Sequence, residues 1–234
     1  MGRSGMRKFF LWAGAILILH SLSSAPMIFG MTGTAVLAEI QKRYETTADF
    51  EAQFVQEYVG KVMQRPQKGE GQVYFKKKGM MRWDYQTPNQ KLISNGQTLW
   101  YYQPEENQVF VSQLSRIIKE RTPLAFLAGE GNLSQEFNLV QWNEAVSQKE
   151  ENYVVELAPK EPNPALAKLI LTVDRKTFTV TQTDVIDGLG NVTRTRFMNI
   201  KTNVSHPDSF FNFTIPPGTD VLRSETPASS PSGK

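Results

Sequence analysis

Apolar positions recur along this chain with two different periods, and the change between them marks out its parts. Val36, Leu37, Ile40 and Tyr44 fall at helical spacing behind Thr34, whose hydroxyl can cap a helix, and they predict one helix ending near Glu45. From Phe50 the period drops to two. Phe50, Ala52 and Phe54 alternate with Glu51 and Gln53, the pattern of a strand with one buried face. After a polar stretch over residues 60–69, a strand is predicted at 72–77, with Val73 and Phe75 on one side. A turn at Lys78-Gly79 leads into Met81, Trp83 and Tyr85, with Arg82 and Asp84 on the opposite side. Pro88-Asn89 and Asn95-Gly96 supply the next turns, the latter a strong two-residue hairpin signal, and they separate strands at 91–94, 98–102 and 108–112.

The middle of the chain breaks this rhythm. Residues 115–120 and 123–128 lack alternation and predict short helices, the second ended by Gly129-Glu130-Gly131. Strands resume at 137–142, 144–149, 153–158, 167–173, 177–186 and 191–201, and Phe211, Phe213 and Ile215 predict a last short one. The expected class is mainly β with short helices (α+β): about eleven short strands in an antiparallel meander. At this length such a sheet curls into a barrel or part-barrel rather than lying flat.

Composition adjusts this picture at the ends. Arg3, Arg7 and Lys8 precede an apolar run from Phe9 to Leu19 and small residues at 21–25. That is the layout of a secretory signal peptide, assigned to residues 1–30 with no fixed cleavage point. The run is short for a membrane span, which needs about 20 residues. A domain is expected over 34–222 and a disordered Ser/Pro/Thr/Gly tail over 223–234. The leader also explains the basic pI of about 9.0. With its three basic residues set aside, 23 Lys and Arg face 23 Asp and Glu, so the charge footprint of a nucleic-acid binder is missing.

Chemistry-bearing residues are scarce. Cysteine is absent, which excludes disulfides, thiolate nucleophiles, Cys-ligated metals and a lipid-bearing Cys behind the leader. His206 is the one histidine beyond the leader, and its neighbours Ser205, Asp208 and Ser209 are adjacent in sequence rather than convergent in space, so no triad is indicated. Phosphate-loop, dinucleotide and zinc patterns are absent, and the expectation is a non-enzyme without cofactor or metal. Of 25 aromatic residues 21 lie beyond the leader, mostly on predicted strands, which suits either an ordinary β-core or an aromatic-lined cavity.

An ordered set of short motifs resembles the LolA family. It comprises Gly69-x-Gly71, the run from Lys76 to Tyr85, Pro88, Leu92-Ile93-x-Asn95-Gly96-x-Thr98-Leu99-Trp100-x-Tyr102, Pro104 and Gln108-Val109. Thr122-Pro123-Leu124-Ala125-Phe126-Leu127-Ala128-Gly129 is similar to the family's lid-helix segment. Phe211-x-Phe213-Thr214-x-Pro216-Pro217-Gly218-x-Asp220-Val221 is similar to its C-terminal signature. The resemblance implies an incomplete antiparallel barrel with a hydrophobic concave face and a helical lid. It further implies a monomeric periplasmic carrier that takes acylated lipoproteins from an inner-membrane ABC transporter and hands them to LolB, an outer-membrane receptor of the same fold. That receptor is itself a lipoprotein, so a chain without cysteine reads as the carrier.

Strand parity then assigns a lining. Val73, Phe75, Met81, Trp83 and Tyr85 share the face turned to the cavity, joined by Leu37 and Ile40 from the first helix and by Leu124, Phe126 and Leu127 from the lid. Each of these has a plainer alternative as ordinary core. Where the family usually has an Arg that holds the lid by bonding its backbone carbonyls, this sequence has Lys77, with three donors on a flexible stem and no planar fork. A solvated turn is the other reading of Lys76-Lys77-Lys78. A second functional reading also stands: a lipid- or lipoprotein-sensing module of the same fold that signals to a partner.

Overall fold

The first helix and first strand form where the periodicity places them, and they set the geometry of everything else. In the computed structural model, which describes residues 31–62, 65–115, 131–142 and 152–223, α1 (Gly33–Thr46) is capped by the Thr32 side chain, which accepts a hydrogen bond from the Ala35 N–H. The cap is thus two residues earlier than the expected Thr34. Val36, Leu37 and Ile40 are buried along one stripe of this helix.

Among the described residues twelve strands follow, against about eleven expected: β1 (Asp49–Val59), β2 (Gln67–Lys76), β3 (Met80–Thr87), β4 (Gln90–Asn95), β5 (Thr98–Gln103), β6 (Gln108–Gln113), β7 (Phe137–Trp142), β8 (Asn152–Pro159), β9 (Lys168–Asp174), β10 (Val180–Ile186), β11 (Val192–Thr202) and β12 (Asp220–Arg223). A one-turn helix, α2 (Leu133–Glu136), precedes β7. The expected helices at 115–120 and 123–128 and the expected strand at 144–149 lie outside the described residues, apart from a helical start at Leu114 and Ser115.

The strands make one open sheet in the order β12-β6-β5-β4-β3-β2-β1-β11-β10-β9-β8-β7. Two meanders are therefore sewn together by the long β1–β11 ladder, in which Phe54 stands opposite Phe197. All pairings are antiparallel except β12 with β6. Local chemistry fixes the turns. Lys78 and Gly79 both have φ near +71°, as a tight β2–β3 hairpin requires. Gly71 has a different reason: a Cβ there would lie 2.0 Å from the Asp84 carbonyl oxygen, so the bulge between Glu70 and Gly71 admits no side chain.

Both faces of β1–β6 are covered. The inner face packs on α1. The outer face carries Met80, Ile93, Val109 and Val111, and these are buried together with Phe211 of the chain's C-terminal part. Here the structure corrects the expected strand on Phe211, Phe213 and Ile215. Residues Asp208–Phe211 form a turn of 3-10 helix on β3 and β4, and the true last strand is β12. The alternation of the two phenylalanines comes from burial against an existing sheet: Phe213 lies 5.3 Å from Tyr102, and Phe211 is fully buried.

Asp49 anchors this outer strap. It is 3 % exposed, and its carboxylate accepts the backbone N–H groups of Val204 (2.6 Å), Ser205 (2.9 Å) and His206 (3.2 Å). Asn203 and Ser205 have positive φ, which turns successive N–H groups onto one anion as in a backbone nest. Beyond it, His206 meets Glu51 at 3.0 Å and stacks on Phe210, while Arg82 lies over the Phe210 ring.

Two outcomes are expected. Asp49→Ala strips three partly buried donors of their acceptor and should lower stability by about 1–3 kcal/mol, read as a fall in the urea midpoint at unchanged m. An unchanged midpoint would show that the strap needs no anchor. The second concerns acid. The hydrogen bond from Lys201, with a lesser one from His206, holds the Glu51 carboxyl below its ordinary range. A carboxylate with a lowered folded pKa stabilises the fold above its unfolded value of about 4.3, and that contribution vanishes as pH falls through the folded value. The Tm advantage of the native chain over Glu51→Gln should therefore be full near neutral pH and shrink below about pH 4; a gap independent of pH would remove Glu51 from the acid response.

Candidate functional site

The inner face of the sheet is an apolar surface drawn from strands far apart in sequence. Ala52 and Phe54 come from β1, Val73 and Phe75 from β2, Met81 and Trp83 from β3, and Phe197 from β11, and all are buried. From the second meander, Val155, Leu157, Leu169, Leu171 and Val173 belong to the same cluster. Trp83 sits at the centre of an aromatic group: its ring lies 4.8 Å from Phe54, 5.7 Å from Phe75, 6.2 Å from Tyr85 and 6.3 Å from Phe197.

The structure brings together the sequence-derived lining wherever it is described. Val73, Phe75, Met81, Trp83, Leu37 and Ile40 are between 0 and 6 % exposed, and Tyr85 is half-buried beside them. Met81 is fully covered. Leu124, Phe126 and Leu127 lie outside the described residues. Residues that the parity argument passed over complete the wall: Phe54, whose β1 alternation was visible, and Phe197, whose Arg and Thr neighbours hid it.

The covering element is α1. Its apolar stripe fills the curve of the sheet, and a small set of polar contacts ties it there. Gln41 accepts from the Leu133 N–H at 3.1 Å, joining α1 to α2, and Arg43 donates to Thr202 on β11 at 3.2 Å. Lys77 points to the same side as Phe75, and its ammonium donates to the carbonyl of Glu45 in the last turn of α1, where a cation is favoured by the helix dipole. Its backbone N–H bonds Ala48 O. Lys77 thus does meet a backbone carbonyl, but on α1; the 123–128 segment that it was expected to hold lies outside the described residues.

A narrow cleft lies beside the last turn of α1. Lined by Tyr44, Phe50, Val180 and Ile200, with Arg43 and three threonines at its edge, it has a volume of about 30 Å³. That is one water's share of liquid, against about 300–1,000 Å³ for sites that enclose a drug-sized ligand. Burial also marks the groups around it. It pushes the Tyr44 phenol well above its ordinary value and the Tyr85 phenol up to about 12, although Tyr85 donates to Gln56 at 3.1 Å. The Trp83 indole N–H is buried with no acceptor among the described residues, a state that costs about 1–3 kcal/mol. Among the described residues no three His, Asp or Glu side chains gather as a metal site.

Chemically the arrangement offers an apolar surface covered by a helix, with no paired acid and base on that surface among the described residues. Comparison with known proteins agrees with this picture. Residues 45–214 match the family described as outer membrane lipoprotein carrier protein LolA. The chain is 32% identical over 163 residues to the outer-membrane lipoprotein carrier protein of Pseudomonas aeruginosa PAO1, covering 68% of this chain and 74% of that one. It is 31% identical over 183 residues to the protein of that name from Nitrosomonas europaea, covering 74% and 82%. Among solved structures, an uncharacterized conserved protein from Thermus thermophilus superposes with a TM-score of 0.52 at 12% identity, covering 83% of this chain and all of that one, a likeness of fold. With well over half of its length matched, this chain belongs to the LolA family of outer-membrane lipoprotein carriers.

Proposed function

We propose that this chain carries acylated lipoproteins across the periplasm with their acyl chains in the hollow of the sheet, exchanging α1 for cargo as its cover. LolA-family proteins are periplasmic carriers and not enzymes. The finer parts are our reading. Residues 1–30 serve as the export leader, an inner-membrane ABC transporter loads the protein, and a LolB-like outer-membrane receptor unloads it. Val73, Phe75, Met81, Trp83 and Tyr85 line the acyl site, together with Leu124, Phe126 and Leu127, and Leu37 and Ile40 of α1 fill it when no cargo is bound. Lys77 is the latch, acting on α1.

The observation that carries this reading is the pairing of a continuous apolar wall with the apolar stripe of α1 packed into the same buried cluster. The energies make exchange feasible. Burying Val36, Leu37 and Ile40 contributes about 1.5–3 kcal/mol each. Each methylene removed from water contributes about 0.8 kcal/mol, so roughly six to eleven methylenes of cargo match the three side chains they displace. A fixed core would hold its contacts permanently. A surface that is worth the same to a helix and to a lipid can be traded between them without ATP.

The test is native mass spectrometry of the mature protein from periplasm, followed by uptake of a purified acylated lipoprotein from detergent. Co-purifying acyl-bearing cargo and one-to-one uptake are expected; a bare protein that takes up nothing overturns the carrier reading. A further outcome concerns the cover. Ile40→Ala and Lys77→Met each remove one hold on α1. Both should lower Tm, Ile40→Ala by the equivalent of about 2–5 kcal/mol, while speeding cargo uptake several-fold. Lower stability with unchanged uptake would make α1 a structural element rather than a gate.

A further inference from the structure

The hollow contains one polar group that the carrier reading has not used. Trp83 is 4 % exposed, and its Nε1–H has no acceptor among the described residues. Its ring neighbours are Phe54, Phe75, Tyr85 and Phe197, which offer an N–H group no more than weak contacts with π faces. The nearby Tyr85 hydroxyl is engaged with Gln56. The other unpartnered nitrogen of this region, Arg43 Nε, belongs to a half-buried side chain at the edge of the cleft, where a water can satisfy it. Trp83 lies deeper and in mid-sheet, paired in register with Val73 on β2 and Leu92 on β4.

An acyl chain is a hydrocarbon with one polar atom that matters here: the carbonyl oxygen of the ester or amide through which it is attached. Drawn into an apolar hollow, that oxygen loses its water and needs a donor. A donor without an acceptor and an acceptor without a donor would then occupy the same cavity. We propose that the Trp83 indole N–H donates a hydrogen bond to the carbonyl oxygen at the head of a bound acyl chain, so that the hollow prefers acyl-linked cargo to alkyl-linked cargo of equal length. This inference rests on the carrier reading and adds a chemical selectivity to it. The bond sets how far a chain enters: the carbonyl stops at Trp83, and the hydrocarbon runs on over Phe54 and Phe197.

The experiment uses two probes, a lipopeptide with two ester-linked chains and its dialkyl ether analogue with the same chain lengths. Binding of each is measured to the mature protein and to Trp83→Phe, and the indole N–H resonances of the 15N-tryptophan-labelled protein are followed in parallel. The native protein should bind the ester about tenfold more tightly than the ether, a difference of about 1.4 kcal/mol. Trp83→Phe should abolish that preference, and the Trp83 indole proton should move downfield with the ester alone. Equal affinities for the two probes, with the same indole shift for both, would overturn the proposal and leave the carrier reading standing. Failure of the native protein to bind either probe would overturn both. Should Trp83→Phe not fold, the ester–ether comparison and the indole shift in the native protein decide the question alone.

Discussion

The first half of this molecule depends on one constraint: a concave apolar sheet has to be kept out of water whether or not it holds cargo. Val36, Leu37 and Ile40 meet that constraint from α1, with side chains as apolar as the surface they cover. The polar ties of α1 are few and lie at its edges, on Gln41, Arg43 and Glu45, so none has to be broken in the apolar interior when the helix moves. Tight closure would be easy to build from these parts.

A sheet that gives up its inner cover needs its shape maintained from outside. The C-terminal strap does this for β1–β6. Phe211 fills a small second core with Met80, Ile93, Val109 and Val111, and the Asp49 carboxylate gathers three N–H groups at the strap's start. Arg82 and Lys76 reach the same segment from β3 and β2. These contacts lie on the face away from α1 and share no residue with its ties to the sheet.

Much of this was legible in the residues. Turn signals at Lys78-Gly79 and Asn95-Gly96 marked the hairpins, and the period of two on β2 and β3 put Val73, Phe75, Met81, Trp83 and Tyr85 on one face, where the structure has them. What could not be read depended on contacts distant in sequence. Phe211 and Phe213 alternate like strand residues, yet they alternate because they meet a surface made by β3–β6. Asp49 has the look of any polar strand-end residue until residues 204–206 fold onto it. The carbonyl that Lys77 meets is 32 residues away, and no local pattern distinguishes the end of α1 from another exposed backbone oxygen.

The β1–β11 ladder also has a consequence for how the molecule is made. Each meander is built from neighbouring hairpins that close quickly, whereas the seam between them joins Phe54 to Phe197 across most of the domain. A chain emerging from its N-terminus presents Phe50, Phe54, Phe75 and Trp83 long before β11 exists to pair with β1. The surface that later receives lipid is, during that interval, the most aggregation-prone part of the nascent protein. A carrier of this design is therefore itself a client for whatever escorts unfolded chains in its compartment, and the seam, as its most non-local pairing, is the step that ends that dependence.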